Sequence, residues 1–216
     1  NIKILLNRLV ADGELIQEQR NELLAESTDE VAELVLRDNY DQNLAIAGSL
    51  EQATGMLHIH ARLMRQLEQQ GHLDRVLEFL PSDRQLKERQ LAGIGLTAPE
   101  FAVLLAYQKI RLAEELITSD LPDDPFLRGV LQDYFPIALQ ERFPAQIDAH
   151  PLRRQIITTA MVNGLVNLAG ITFMYRLREE TGASAADVTR AHVVAHEVYA
   201  MQAHWDAIEA LDNQVP

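Results

Sequence analysis

The chain has 216 residues, of which 32 are Asp or Glu and 19 are Lys or Arg, giving a formal charge of −13 at pH 7, and it contains no cysteine. The missing cysteine excludes a disulfide scaffold and any thiolate metal or redox centre. The acidic balance argues against a phosphate-backbone binder, and 47% hydrophobic against 24% charged residues excludes a disordered chain.

Ten glycines and eight prolines supply few turn formers for an all-β fold, and the periodicity is helical throughout. Ile2, Leu5, Leu6, Leu9 and Val10 fall at i, i+3, i+4, i+7 and i+8, one apolar helix face, and Asp12-Gly13 ends that helix. A short helix is predicted over Gln17 to Glu26. Ser27-x-x-Glu30 reads as a capping box opening a helix that carries Val31, Leu34 and Val35 past Leu44 toward Gly48. The next runs from Met56 to Gln70 and stops at Gly71, a C′ glycine. A short helix comes after it from Asp74 to Leu80, ending at Pro81. Ser82-x-x-Gln85 starts a charged helix ending near Gly93. Thr97-x-x-Glu100 is a second capping box, with Pro99 in the first turn, opening a helix over Ala98 to Ile117.

The loop from Ser119 to Pro125 is the clearest break in the pattern. Asp124-Pro125 reads as N-cap and first helical residue, and Pro136 and Pro144 divide the next stretch into short pieces. Pro151 starts a long apolar helix, placed near residues 151–181, and Ser184-x-x-Asp187 starts a last one reaching Leu211 with a break near His204. The expected architecture is an all-α multi-helix bundle over residues 1–216, with the long apolar helix central and a sub-boundary at 118–125. Residues 155–175 carry no charge, which is membrane-spanning length. Asn163, Asn167, Thr158, Thr159 and Thr172 within them favour a buried helix of a soluble bundle. A cytoplasmic location is the expectation. A start inside an amphipathic helix and an abrupt end at Asp212 to Pro216 are read as marks of a fragment.

Four patterns invite a chemical reading. Gly93-Ile-Gly95-Leu-Thr-Ala98 matches the loose dinucleotide fingerprint, with Glu114 and Glu115 near the distance of a ribose ligand. That fingerprint requires a preceding buried strand, whereas Ser82 to Ala92 is a polar helical stretch, so a helix cap and turn is preferred. His192 and His196 share one helix face at i, i+4 and offer a chelating pair, but no third ligand is evident and Glu197 points elsewhere. His58 and His60, at i, i+2, face different ways. Glu14, Glu18, Glu22, Glu26 and Glu30 recur every four residues, read as a solvated face with a basic partner as the alternative. Asn163 and Asn167 share a face inside an apolar stretch and are read as an interhelical polar contact. No catalytic, cofactor-binding or metal residue is assigned.

Several blocks together resemble one family. The stretch Gly95-Leu-Thr-Ala-Pro-Glu-Phe-Ala-Val-Leu-Leu-Ala-Tyr-Gln-Lys-Ile110 is similar to a signature segment of the large bacterial NAD-specific glutamate dehydrogenases. So are Asp124-Pro-Phe-Leu127 onward to Tyr134-Phe-Pro136, His150 to Ile156 leading into Asn163 to Phe173, and the ends Asn1 to Asn7 and Trp205 to Pro216. Ala98 and Phe101 depart from the family pattern. The resemblance implies a helical C-terminal region following a catalytic module that binds glutamate and NAD. The segment would have a structural, oligomerisation or regulatory role and no active site of its own. Its partners would be that catalytic module of the same polypeptide and further copies in a homo-oligomer, with no nucleic acid and no membrane. The alternative is a stand-alone helical protein-interaction module.

Overall fold

A computed structural model describes residues 1–211. Asp212 to Pro216, the end of the last matching block, lie outside the described residues. Among the described residues there are thirteen α-helices, two 3-10 turns and no strand.

The first helix, α1 (Ile2–Ala11), buries Leu5, Leu6 and Leu9, each worth about 1.5–3 kcal/mol once removed from water. Next come α2 (Gln17–Glu26) and α3 (Thr28–Glu51). The capping box expected at Ser27 does not form. Ser27 has helical torsions and its hydroxyl donates to Leu23 O, so the chain passes from α2 to α3 almost without a break. Glu30 is thereby free to reach another part of the chain. The helix α4 (Leu57–Gln69) buries Leu57, Leu63, Met64 and Leu67 on one face.

No α-helix spans Asp74 to Leu80. The Asp74 carboxylate accepts from the amides of Val76 and Leu77, and Phe79 has a positive φ of 55°. These features wind the segment into a tight knuckle. Then α5 (Asp83–Leu91) is capped by Ser82 and Gln85 in a reciprocal box. The helix α6 (Ala98–Thr118) opens as expected, with the Thr97 amide donating to the Glu100 carboxylate at 2.7 Å.

Past α6, Asp124 Oδ1 accepts from Phe126 N and opens a 3-10 turn at Pro125–Leu127 that leads into α7 (Arg128–Asp133). The short α8 (Ile137–Arg142) follows Pro136 at its N-cap, and α9 (Pro144–Asp148) has its proline at the first helical position.

The predicted continuous helix over 151–181 is two helices, α10 (Arg153–Ala169) and α11 (Phe173–Thr181), turned by 90°. Gly170 between them has φ +93° and ψ 160°, torsions closed to residues bearing a Cβ. No single helix among the described residues is long and apolar enough to cross a membrane. The helix α10 packs against α3, α6, α7 and α12, which uses the charge-free circumference that follows Arg153 and Arg154 on several sides. Finally α12 (Ala185–Val198) and α13 (Met201–Glu209) are separated at Ala200, which has φ +47°. That break precedes the expected one at His204. Buried apolar side chains from Leu5 to Val188 form one connected cluster.

Candidate functional site

The Gly93-x-Gly95 loop has a complete structural explanation. Gly93 N donates to Gln90 O and Ile94 N to Arg89 O, at 3.3 and 2.8 Å, the Schellman pattern at the C-terminus of α5. Gly93 has φ +68°, as the C′ position of that motif requires. Gly95 lies against the backbone of Ala53, so close that a Cβ would come within 2.5 Å of the Ala53 carbonyl carbon. Arg89 completes the arrangement with a two-bond ion pair to Glu100, at 2.7 and 2.8 Å. Burial alone would raise the Glu100 pKa, but the hydrogen bonds from Arg89 and Thr97 outweigh it and hold the carboxyl below its ordinary range. A helix, α5, occupies the place where a dinucleotide fold has its strand.

The paired histidines face an apolar pocket shared by α10 to α13. His192 and His196 have ring centroids 6.2 Å apart, and His192 meets Phe173 edge-on. Burial pushes His192 below the ordinary histidine pKa, with the His196 charge acting the same way. Among the described residues no group of three or more His, Asp or Glu gathers as a metal site. His60 is 2% exposed and stands edge-on to Phe101 at 4.9 Å. Burial first, and the His58 charge second, push its pKa down to about 4.

Asn167 makes an interhelical contact of the kind its position called for, its Nδ2 donating to Asp38 Oδ1 at 3.4 Å. The rest of this junction was missed from the sequence. Lys109 on α6 is half buried, within the field of Asp38 and Asp41 on α3. Burial lowers the Lys109 pKa and the two carboxylates oppose it. The signal available was a lysine in the apolar half of α6 and two acids at i, i+3 on α3, which share a face.

The acidic repeat resolves into specific contacts. Glu14 accepts from Gln146, Glu26 pairs with Arg142, and both oxygens of Glu30 accept from the amide of Ile137 at 3.1 Å. Three of these five acids therefore hold α9 against the turn before α2, and α8 against the end of α2 and the start of α3, while Glu18 and Glu22 are exposed and make no such contact among the described residues.

Two apolar surfaces remain. The larger is a groove of about 970 Å³ along α3, lined by Ile2, Leu24, Val31, Leu34 and Val35 with Ala160 of α10. Lys3, Asp38 and Asp133 line it as well. The other is the knuckle, where Val76, Leu77 and Phe79 are 86%, 70% and 91% exposed. Beneath it, Arg75 is buried and bonded to Glu68, Asp83 and the Pro81 carbonyl. The exposed side chains thus stand on a fixed base.

Residues 93–216 match the family described as "Glutamate dehydrogenase, C-terminal", and residues 1–49 match "Bacterial NAD-glutamate dehydrogenase, catalytic domain". The chain is 46% identical to an NAD-specific glutamate dehydrogenase of Pseudomonas aeruginosa and 44% identical to one of Halomonas elongata, in each case over all of its residues. It is 42% identical over 97% of its length to one of Mycobacterium tuberculosis. The chain spans 13% of the length of each of these relatives.

Proposed function

Because the chain belongs to the family of the glutamate dehydrogenase C-terminal region, we propose that it is the helical C-terminal segment of an NAD-dependent glutamate dehydrogenase. The whole enzyme would oxidise L-glutamate with NAD⁺ and water to 2-oxoglutarate, ammonium, NADH and a proton. The observation that carries this reading is 42–46% identity over 97–100% of the chain to proteins named for that activity. In this reading glutamate and NAD⁺ bind the catalytic module upstream. The 216 residues act as one helical unit that supports the module by packing, by contacts between subunits of a homo-oligomer, or by regulation. The exposed Val76–Phe79 knuckle supports the oligomer contact, since apolar side chains on a rigid base are what protein interfaces bury. A cytoplasmic enzyme without nucleic-acid or membrane partners completes the proposal.

The test is calorimetry of NAD⁺ against the purified 216-residue chain, beside an NADH-formation assay with glutamate. The expected outcome is no heat of binding and no turnover for this chain, with turnover by the full-length polypeptide. Micromolar NAD⁺ affinity in the 216 residues would overturn the division of labour. The second reading, a stand-alone helical interaction module, draws on the strongly acidic surface and the knuckle. A native product no longer than this chain would decide for it.

A further inference from the structure

The helix α3 is poorly covered for its composition. It is 24 residues long and fully buries one residue, Ala45, whereas α6 with 21 residues fully buries seven. Val31, Leu34 and Val35 recur at i, i+3 and i+4, the spacing of a helix face meant to be packed, yet Leu34 is 44% and Val35 55% exposed. They line the large groove, whose mainly apolar lining with a few charged residues has the composition of an interface patch.

Two observations identify the occupant. First, the match to the catalytic domain of the bacterial enzymes covers residues 1–49, and α3 ends at Glu51. The helix with the uncovered stripe is therefore the last of three, α1 to α3, that fall in the catalytic-domain match, while its covered side meets α6 and α10 of the C-terminal family. Second, Asn1 and Lys3 line the groove. Asn1 is pinned there, its side chain donating to Tyr134 Oη at 2.8 Å and its carbonyl 3.2 Å from His150 Nε2. A polypeptide joined to Asn1 therefore starts from the lining of this groove.

We propose that the α3 groove seats the catalytic module that precedes residue 1 in the longer polypeptide, with Val31, Leu34 and Val35 as its apolar anchors. This rests on the functional reading above. The segment is then joined to the catalytic module by a packed surface as well as by the covalent chain.

The experiment uses the lack of cysteine in these 216 residues. Cysteines introduced singly as L34C, V35C and L36C are alkylated with a maleimide, and the modified site is read by peptide mass spectrometry. Each is measured in the 216-residue chain and in the full-length polypeptide. Leu36 is 68% exposed, outside the groove, and about 100° round the helix from Val35. The expected result is a tenfold or greater slowing at positions 34 and 35 in the full-length polypeptide, with position 36 unchanged. Equal rates in the two proteins at positions 34 and 35, or equal slowing at all three, would overturn the assignment. Concentration-dependent slowing in the 216-residue chain alone would give the groove to a second copy and overturn it likewise. Glutamate-dependent NADH formation by the same full-length polypeptide is recorded in parallel. An inactive polypeptide with protected cysteines counts against the enzyme reading and for the groove. An active one with unprotected cysteines counts the other way.

Discussion

Replacing Gly95 by alanine is the sharpest test of why this chain carries its paired glycines. The added Cβ would lie 2.5 Å from the carbonyl carbon and Cβ of Ala53 and 2.8 Å from its oxygen. Carbon atoms rest at about 3.5–4.0 Å, so roughly 1 Å of separation must open between the Gly95 loop and the turn after α3. Neither side yields easily. Ala53 is 6% exposed and its amide donates to Leu50 O, while the loop is held by Arg89 and its ion pair to Glu100. Overpacking of this kind costs about 1–3 kcal/mol, and a backbone neighbour places Gly95→Ala at the upper end. In a chain of this size that is a fall in Tm of roughly 6–12 °C. Gly93→Ala meets nothing within 4 Å and loses only the left-handed torsions, about 1 kcal/mol. Gly164→Ala, inside α10 and equally unobstructed, gains about 0.5–1 kcal/mol. Thermal and urea melts followed by circular dichroism give all three. A Gly95→Ala chain that melts with the parent, or above Gly93→Ala, would refute the close approach.

Three further outcomes rest on the same geometry. His60 is held neutral by burial, so its contribution is complete above the ordinary histidine pKa of about 6.5 and is lost as pH falls toward its folded value of about 4. The loss amounts to about 3 kcal/mol, and His60→Leu should flatten that part of a urea-midpoint profile against pH. Glu100→Gln should cost about 1.5–3 kcal/mol at pH 7, the worth of hydrogen bonds to a charged group. The Glu100 pKa is depressed in the fold. The wild-type advantage is therefore full above the ordinary glutamate value of about 4.3 and vanishes as pH drops through the lowered one, so the two melts should converge in acid. Ser184→Ala removes the acceptor for Asp187 N at 3.1 Å and should lower stability by about 1 kcal/mol, seen as faster amide exchange in the first turn of α12.

Local chemistry made much of the fold readable. The caps at Ser82, Thr97 and Ser184 and the C′ glycines at 71, 93 and 182 act within four residues of themselves, so their effect is visible without a partner. Ser27 failed by the same standard. Its capping signal was intact, but Glu30 found a distant amide at Ile137, and tertiary contact outweighed local preference. The bend at Gly170 was hidden because an uncharged apolar run has the same periodicity whether straight or broken. The candidate sites divide in the same way. The glycine loop and Asn167 were interpretable from neighbours in sequence. The Asp38–Asp41–Lys109 junction and the α3 groove depend on three helices meeting, which no spacing along one of them reveals.

The contacts that tie α1 to the region after α7 also impose a schedule on the nascent chain. Arg8 must wait for the carbonyl of Ala149, 141 residues later, and at synthesis rates of about 5–20 residues per second that is roughly 7–30 s. During that interval α1 lacks the partners that complete its setting. The charge-free part of α10, from Gln155 onward, has a different history. Its neighbours α3, α6 and α7 precede it in the chain, so this helix emerges toward a surface that covers most of it and waits for α11 and α12.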